Sequence, residues 1–400
     1  VSPEDYSLHL FDPVTRQYVE SGRLKLFTSV ANLGFPKYDG LQICFPPMLD
    51  MLKYLQEGGF TKIQLSTPGV IGIAGLIAAK LLQIETAATY HTSIPEYVEN
   101  YTKDVSLEAI AWKYMLFFYH SVDEMLVPSK FVAKLLHKRG LRNRKLLILD
   151  RWVDVDRFHP KRRSEDYWRK FDIGSNTVKF VYVGRVAVEK NLHIVAQAFA
   201  KLVSAGVGAH MIVIGDGPYR SALATQFAGL PTTFTGYLHG DELATALASC
   251  DVKVFPSTTD TWGNAPLEAQ ASGLPVIVTD IGGPAELMQH GVTGLMVRGN
   301  DVRSLHDAML QLMSPTMRLQ LGRAARAFAE ANRVDEPFTA VLDSEAYRHQ
   351  LHKRTRSEEK TGKRKAHERR PSDRVVSDEA ANQPFGFLAD SVFATGDRVG

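Results

Sequence analysis

Short apolar runs alternate with helix-periodic stretches along most of the chain. Residues 25–29 read as a strand, 48–54 as a helix and 62–66 as the next strand. A small-residue helix over 72–82 leads to a strand at 87–91, a helix over 107–122 and a strand at 125–127. This alternation predicts a parallel sheet joined by crossover helices. Residues 151–170 are charged and irregular, the character of an interdomain linker. The rhythm then returns. Residues 180–183 and 210–214 are apolar strands, and between them Leu192, Val195, Phe199 and Leu202 recur at helical spacing. Residues 231–236, 252–255 and 275–278 add three more strands. The pattern predicts an α/β chain with two sheets in succession.

Composition narrows the function classes. Lys and Arg number 47 against 44 Asp and Glu, an excess too small to signal nucleic-acid binding. The two cysteines, Cys44 and Cys250, build neither a disulfide framework nor a zinc site, which fits a reducing compartment. The opening Val1-Ser2-Pro3-Glu4-Asp5 has no secretory-signal character, and the longest apolar run, 70–82, contains Lys80 and reads as a core helix. A cytoplasmic location is expected, with peripheral contact at the inner face of the plasma membrane left open.

Four motifs carry chemistry. Gly184-Arg185-Val186-Ala187-Val188-Glu189-Lys190-Asn191 lies where a strand ends and a helix begins, the edge at which open α/β sheets bind ligands. Arg185 offers a planar fork and Lys190 a point charge, together able to hold a departing diphosphate without a metal. A solvated loop is the competing reading of that pair alone. Asp260-Thr261-Trp262-Gly263-Asn264-Ala265-Pro266-Leu267-Glu268 follows another strand. Gly263 permits close backbone approach, Pro266 suits a first helical turn, and the free N–H groups there would face an anion or sugar hydroxyls. Glu268, expected in the first turn, would accept bonds from a ribose diol, and Asp260 would face a sugar ring. A turn cap and a helix-dipole partner are the alternatives. Gly282-Gly283-Pro284-Ala285-Glu286 reads as mainly structural, with the two glycines bordering the diphosphate at most. His91-Thr92-Ser93-Ile94-Pro95-Glu96-Tyr97 follows a first-half strand, so His91 faces the interdomain cleft or is a satisfied structural histidine.

Together these stretches resemble the retaining glycosyltransferases of family 4, which have the GT-B fold: two Rossmann-like domains facing a cleft. The resemblance runs from about Phe45 to about Gly322. It rests on the Gly-Arg…Glu-Lys-Asn turn, Gly215-Asp216-Gly217-Pro218, Phe255-Pro256-Ser257, the Asp260–Glu268 pair, Gly273-Leu274-Pro275-Val276 and Gly-Gly-Pro-x-Glu in that order. Tyr90-His91-Thr92, Val127-Pro128-Ser129 and residues 151–160 look most like bacterial α-mannosyltransferases and sulfoquinovosyl- or glucosyl-diacylglycerol synthases. The resemblance implies that Arg185 and Lys190 hold the donor diphosphate beside Gly184 and Gly215, and that Glu268 binds the ribose. Asp260, Thr261, Trp262, Gly263, Asn264, Ala265, Pro266 and Leu267 would surround the transferred sugar and its phosphate. Gly236, Tyr237 and Leu238 would lie at the nucleobase. His91 would reach the donor sugar from the first domain, with Thr92 nearby and Tyr97 on the acceptor side. The implied partners are a UDP or GDP sugar and a lipid or glycan acceptor, with no nucleic acid. No cofactor or metal is expected.

Three substitutions depart from the family pattern: Asp260 for the usual Glu, Trp262 for Phe, and Trp152 where a turn often carries Gly. No apolar strand with a Gly-rich loop precedes residue 25, so the acceptor-side domain, expected over 1–150, is read as lacking its first βα units. The donor domain is expected over 151–335, a helix packing back over 336–352, and a disordered basic and polar tail over 353–400, too poor in apolar residues to offset its ordering entropy. Residues 130–145 mix Phe131, Leu135, Leu136 and Leu141 with basic side chains, either an amphipathic surface for anionic lipid or a solvated helix face. A nucleotide-sugar epimerase of the same architecture and a non-catalytic nucleotide-sugar-binding fragment remain the alternative readings.

Overall fold

The computed structural model describes residues 27, 29–34, 42–142, 146–149 and 153–332. Expectations for 1–26, the 336–352 helix, the 353–400 tail and Trp152 lie outside them.

The first lobe opens with two strands, β1 (Ala31–Gly34) and β2 (Gln42–Phe45), paired antiparallel. The strand expected over 25–29 is not found at Phe27 or Ser29. Instead Ser29 turns the chain, its hydroxyl donating to Asn32 Oδ1 at 2.6 Å, and pairing begins where Val30 N–H meets the Phe45 carbonyl at 2.8 Å. The main sheet follows: β3 (Lys62–Leu65), β4 (Glu85–Thr89), β5 (Glu124–Val127) and β6 (Leu146–Ile148), all parallel and in that order. Helix α1 (Met48–Glu57) precedes β3, and α2 (Val70–Leu82) crosses from β3 to β4. Two helices connect β4 to β5. The sequence pattern predicts α4 (Val105–Ser121) but misses α3 (Ile94–Thr102), which runs straight on from the His91 motif. Asp104 starts α4 by accepting from the Ser106 and Leu107 N–H groups, a cap worth ~1 kcal/mol. The helix buries Trp112, Met115, Phe118 and Tyr119 against Tyr90, Met125 and Val127. Helix α5 spans Lys130–Lys138, half the expected amphipathic stretch, with Val132 and Leu136 inward and Lys130, Lys134, His137 and Lys138 exposed.

The stretch after β6 does more than link. Val153, Val155, Phe158 and Trp168 pack into the core of the second lobe through two short 3-10 turns, Pro160–Arg162 and Tyr167–Phe171. Burying the Trp168 indole removes enough apolar surface to stabilise by about 2–3 kcal/mol, which charge content alone conceals.

Six parallel strands build the second sheet: β7 (Val178–Val183), β8 (Ala209–Ile214), β9 (Thr232–Gly236), β10 (Val252–Phe255), β11 (Val276–Thr279) and β12 (Gly294–Val297). Their spatial order is β9-β8-β7-β10-β11-β12. In chain order this is 3-2-1-4-5-6, the doubly wound Rossmann arrangement, whose direction reverses between β7 and β10. All six residues of β7 are buried, as a central parallel strand covered on both faces requires. Helices α6 (Leu192–Ser204), α7 (Arg220–Gln226), α8 (Gly240–Ala248), α9 (Asn264–Ala271), α10 (Val302–Gln311) and α11 (Pro315–Ala331) complete the lobe. Among the described residues no helix is long and apolar enough to cross a membrane.

Candidate active site

The reversal point between β7 and β10 is where a doubly wound sheet opens a crevice at its carboxyl edge. Two of the sequence motifs flank it. β7 delivers Gly184 and Arg185, and β10 delivers the loop that carries Asp260.

The β7 and β8 loops touch through bare backbone. Gly184 N–H donates to the Ile214 carbonyl at 3.0 Å. Gly215 has φ +131°, and a Cβ there would stand 2.0 Å from the Gly184 carbonyl oxygen. Only glycine fits there. The Tyr182 hydroxyl donates to the Arg185 carbonyl at 2.8 Å, fixing the residue that carries the guanidinium to the half-buried rim.

A 3-10 turn, Val188–Lys190, then carries two charges inward. Lys190 is 9% exposed, with Nζ 2.9 and 3.0 Å from the two Asp260 carboxylate oxygens. Burial alone would lower its ammonium, but Asp260, the Tyr97 hydroxyl and Glu189 outweigh it and hold Lys190 above the usual lysine value. Asp260, expected to face a sugar, is therefore also the counter-ion of the expected phosphate ligand. Glu189, 2% exposed, accepts from the Tyr101 hydroxyl at 3.0 Å on Oε2, while Oε1 has no partner among the described residues.

The loop after β10 is braced from behind. Gly283 N–H donates to the Asp260 carbonyl at 2.9 Å, and Asn191 Nδ2 donates to Thr258 Oγ1 at 3.0 Å. Gly263, φ +113°, turns into α9 with Leu287 and Pro284 pressed against its missing side chain. Pro266 and Leu267 are buried, Ala265 half-buried and Asn264 exposed. Trp262 is half-buried, and its indole N–H has no partner among the described residues. Because α9 starts at Asn264, Glu268 is its fifth residue and lies in the second turn, not the first as expected. Burial lifts the Glu268 carboxyl above its usual range against the pull of Lys253.

Of the first-lobe residues, Tyr97 reaches the site. Burial raises its hydroxyl against the pull of the Lys190 ammonium. His91 and Thr92 are exposed past the end of β4, and partial desolvation lowers the His91 imidazole. The His91 carbonyl accepts from Thr261 Oγ1 at 2.8 Å, so Thr261 joins the lobes. Glu286 does the same, accepting from the Lys130 and Phe131 N–H groups at the start of α5. Gly236 ends β9, Tyr237 is exposed with its hydroxyl donating to the Asp216 carbonyl at 3.0 Å, and Leu238 packs half-buried on the core. Gly236 and Tyr237 thus lie against the loop after β8, Gly236 accepting from the Gly215 N–H at 2.7 Å. Sequence reasoning misses Tyr101, the lobe-joining role of Glu286 and Lys253. A lone lysine inside the apolar Val252–Phe255 run is the available signal for the last. Among the described residues no three His, Cys, Asp or Glu side chains converge as a metal site requires.

Comparisons with known proteins speak to the family and the fold. Residues 177–315 match the model of the glycosyl transferases group 1, and residues 5–157 match that of glycosyltransferase family 4. The sulfoquinovosyl transferase SQD2 of Arabidopsis thaliana is 35% identical over 274 residues, covering 67% of this chain and 53% of that protein. The chain thus spans about half the length of that relative. A GDP-mannose-dependent alpha-mannosyltransferase of Mycobacterium tuberculosis is 32% identical over 292 residues, 72% of this chain and 73% of that one. Anabaena HepE, solved in complex with UDP-glucose, superposes with a TM-score of 0.64 at 18% identity, over 80% of this chain and 85% of that one. At that identity the likeness speaks for the fold, which is GT-B. With two family models matched in tandem and a relative 32% identical over 73% of its own length, the chain belongs to glycosyltransferase family 4, the glycosyl transferases group 1.

Proposed function

We propose that the chain transfers a hexose from a nucleoside-diphosphate sugar, GDP-mannose or a UDP-hexose, to a lipid or glycan hydroxyl, with retention at the anomeric carbon. The observation that carries this reading is the pairing of Lys190 with Asp260 across the reversal point between β7 and β10. A cation suited to phosphate and an acceptor suited to sugar hydroxyls stand side by side there, beside the glycines through which the β7 and β8 loops meet.

Arg185 and Lys190 would stabilise the departing diphosphate, the electrostatic task that dominates such a step. Glu268 would accept from the ribose diol, and Asp260 and the start of α9 would hold the sugar. The acceptor hydroxyl would attack on the face the diphosphate leaves, and a diphosphate oxygen would take its proton. His91, mostly neutral near pH 7, would bond to the sugar from the first lobe. Closure of the lobes would exclude water and favour transfer over hydrolysis. In this reading residues 1–150 serve the acceptor and 151–335 the donor.

Support for a lipid acceptor comes from the first lobe. Val105, Leu107, Ile110, Tyr114 and Phe117 are all exposed along α4, and α5 adds Lys130, Lys134 and Lys138. Apolar and basic side chains so arranged suit the inner, anionic face of a membrane.

The test is release of nucleoside diphosphate from UDP- and GDP-sugars by wild type, Arg185→Ala and Glu268→Ala. Turnover should fall at least about a hundredfold in each variant, as when a charge stabiliser is removed. Unchanged turnover in both would sink the site assignment, and interconversion of the free donor without diphosphate release would mark an epimerase instead.

A further inference from the structure

Lys253 is a fully buried, site-adjacent charge for which the proposed reaction has no use. It sits in the middle of β10 with no exposed surface, paired in register with Val181 of β7. Its Nζ donates to the Val183 carbonyl at 3.3 Å, the last carbonyl before Gly184 and Arg185. The ammonium lies 5.2 Å from the Tyr182 ring centre and 5.7 Å from that of Phe255. Among the described residues no carboxylate comes within ion-pair distance of it. A full charge with one long hydrogen bond and two ring faces is costly to bury.

Its place explains why it is there. Lys253 lies on the strand that leads to the Asp260 loop, and its ammonium reaches the carboxyl end of the neighbouring strand that carries Arg185. The groups that face it are Glu268 on α9, Asp260 in the loop above, Tyr182 on β7 and Cys250 at the foot of β10. Cys250 and Tyr182 are held protonated by burial, so the two carboxylates are the charges that feel it. The Glu268 carboxyl makes no hydrogen bond among the described residues, and Lys253 is the cation that favours its ionised form.

We propose that Lys253 is a positioning residue for the donor: its ammonium keeps Glu268 ionised toward the ribose, pins the β7 end beneath Arg185, and adds positive potential under the diphosphate. This rests on the donor-site reading above. Burial pushes the Lys253 ammonium down to about 7, with Glu268 pulling the other way. An arriving diphosphate favours the charged form, so binding above neutrality draws a proton onto Lys253.

Binding of UDP and of GDP to wild type and Lys253→Met is measured by calorimetry from pH 6.5 to 8.5. Buffers of different ionisation heat report proton uptake. Lys253→Gln serves if the methionine variant fails to fold. Wild type should weaken as pH rises above 7 and take up part of a proton at pH 8 that the variant does not take up. The variant should bind at least about tenfold more weakly at pH 7, with a flat profile and no uptake. Unchanged affinity, or weaker binding with proton uptake intact, overturns the proposal while leaving the donor site standing. A wild type that binds neither nucleotide overturns both.

Discussion

Replacing Lys253 by methionine should stabilise the protein, and by an amount that depends on pH. The folded state lowers this ammonium from 10.5 to about 7, because no water and no adjacent anion replaces its hydration shell. A tenfold loss of proton affinity corresponds to about 1.4 kcal/mol, so the buried charge costs about 5 kcal/mol where both folded and unfolded lysines are protonated. That condition holds below pH 7. Between pH 7 and 10.5 the unfolded chain binds the extra proton, so wild-type stability rises with pH over that interval. Methionine has nearly the same length and no charge, and buried charges replaced by apolar side chains commonly give gains of about 1–4 kcal/mol. Urea unfolding at pH 6.5, 7, 8 and 9 should show the variant more stable throughout. Its advantage should shrink by about 2 kcal/mol from pH 7 to pH 9, as wild-type Lys253 loses its proton in the native state. An advantage that does not vary with pH would refute the reasoning, since it would mean that the ammonium is solvated and titrates as in the unfolded chain. Greater stability together with weaker nucleotide binding would mark Lys253 as kept for the site rather than for the fold.

Other perturbations test single contacts. Tyr101→Phe leaves both Glu189 carboxylate oxygens without the hydroxyl that one of them now accepts from, and urea unfolding should register a loss of about 1–3 kcal/mol. Gly215→Ala drives a methyl group into the Gly184 carbonyl, so unfolding should show at least about 2 kcal/mol of destabilisation and nucleotide binding should weaken with it. Glu268 is raised by burial, so nucleotide affinity should fall on acidification through its titration as the ribose acceptor is lost. Glu268→Gln should abolish that acid limb. Thr261→Val removes the bond to the His91 carbonyl, and hydrogen exchange around residue 91 should quicken by roughly fivefold for a bond worth about 1 kcal/mol.

How far the sequence carries depends on how local each feature is. β7, β8, β10 and β11 are legible because each is an apolar run between turn residues, and α6 because its buried positions repeat at helical spacing. The ends of those strands then locate Arg185, Lys190, Asp260 and Glu268 beside one crevice. Helix α3 is hidden: Ile-Pro-Glu-Tyr-Val-Glu-Asn-Tyr-Thr contains a proline and β-branched residues, and it is helical because it packs between α4 and the Lys190 turn. Packing against a distant segment also explains the residues 153–168 that read as a linker but fill a core. The Lys190–Asp260 pair spans 70 positions and no spacing rule connects them. Lys253 is visible in the sequence as an oddity but needs the strand order to become meaningful.

The seam between the lobes is written asymmetrically. Thr261 and Glu286 of the second lobe direct their side chains to the His91 carbonyl and to the Lys130 and Phe131 N–H groups, main-chain atoms that nearly every residue type supplies. At these two contacts the second lobe recognises the path of the first lobe's backbone, while at Glu189 it takes a first-lobe side chain, the Tyr101 hydroxyl. On the function proposed above, first-lobe residues other than Tyr97 and Tyr101 can be exchanged without undoing these main-chain docking contacts. On that reading, the side chains of the first lobe are free to diversify while the two lobes stay docked.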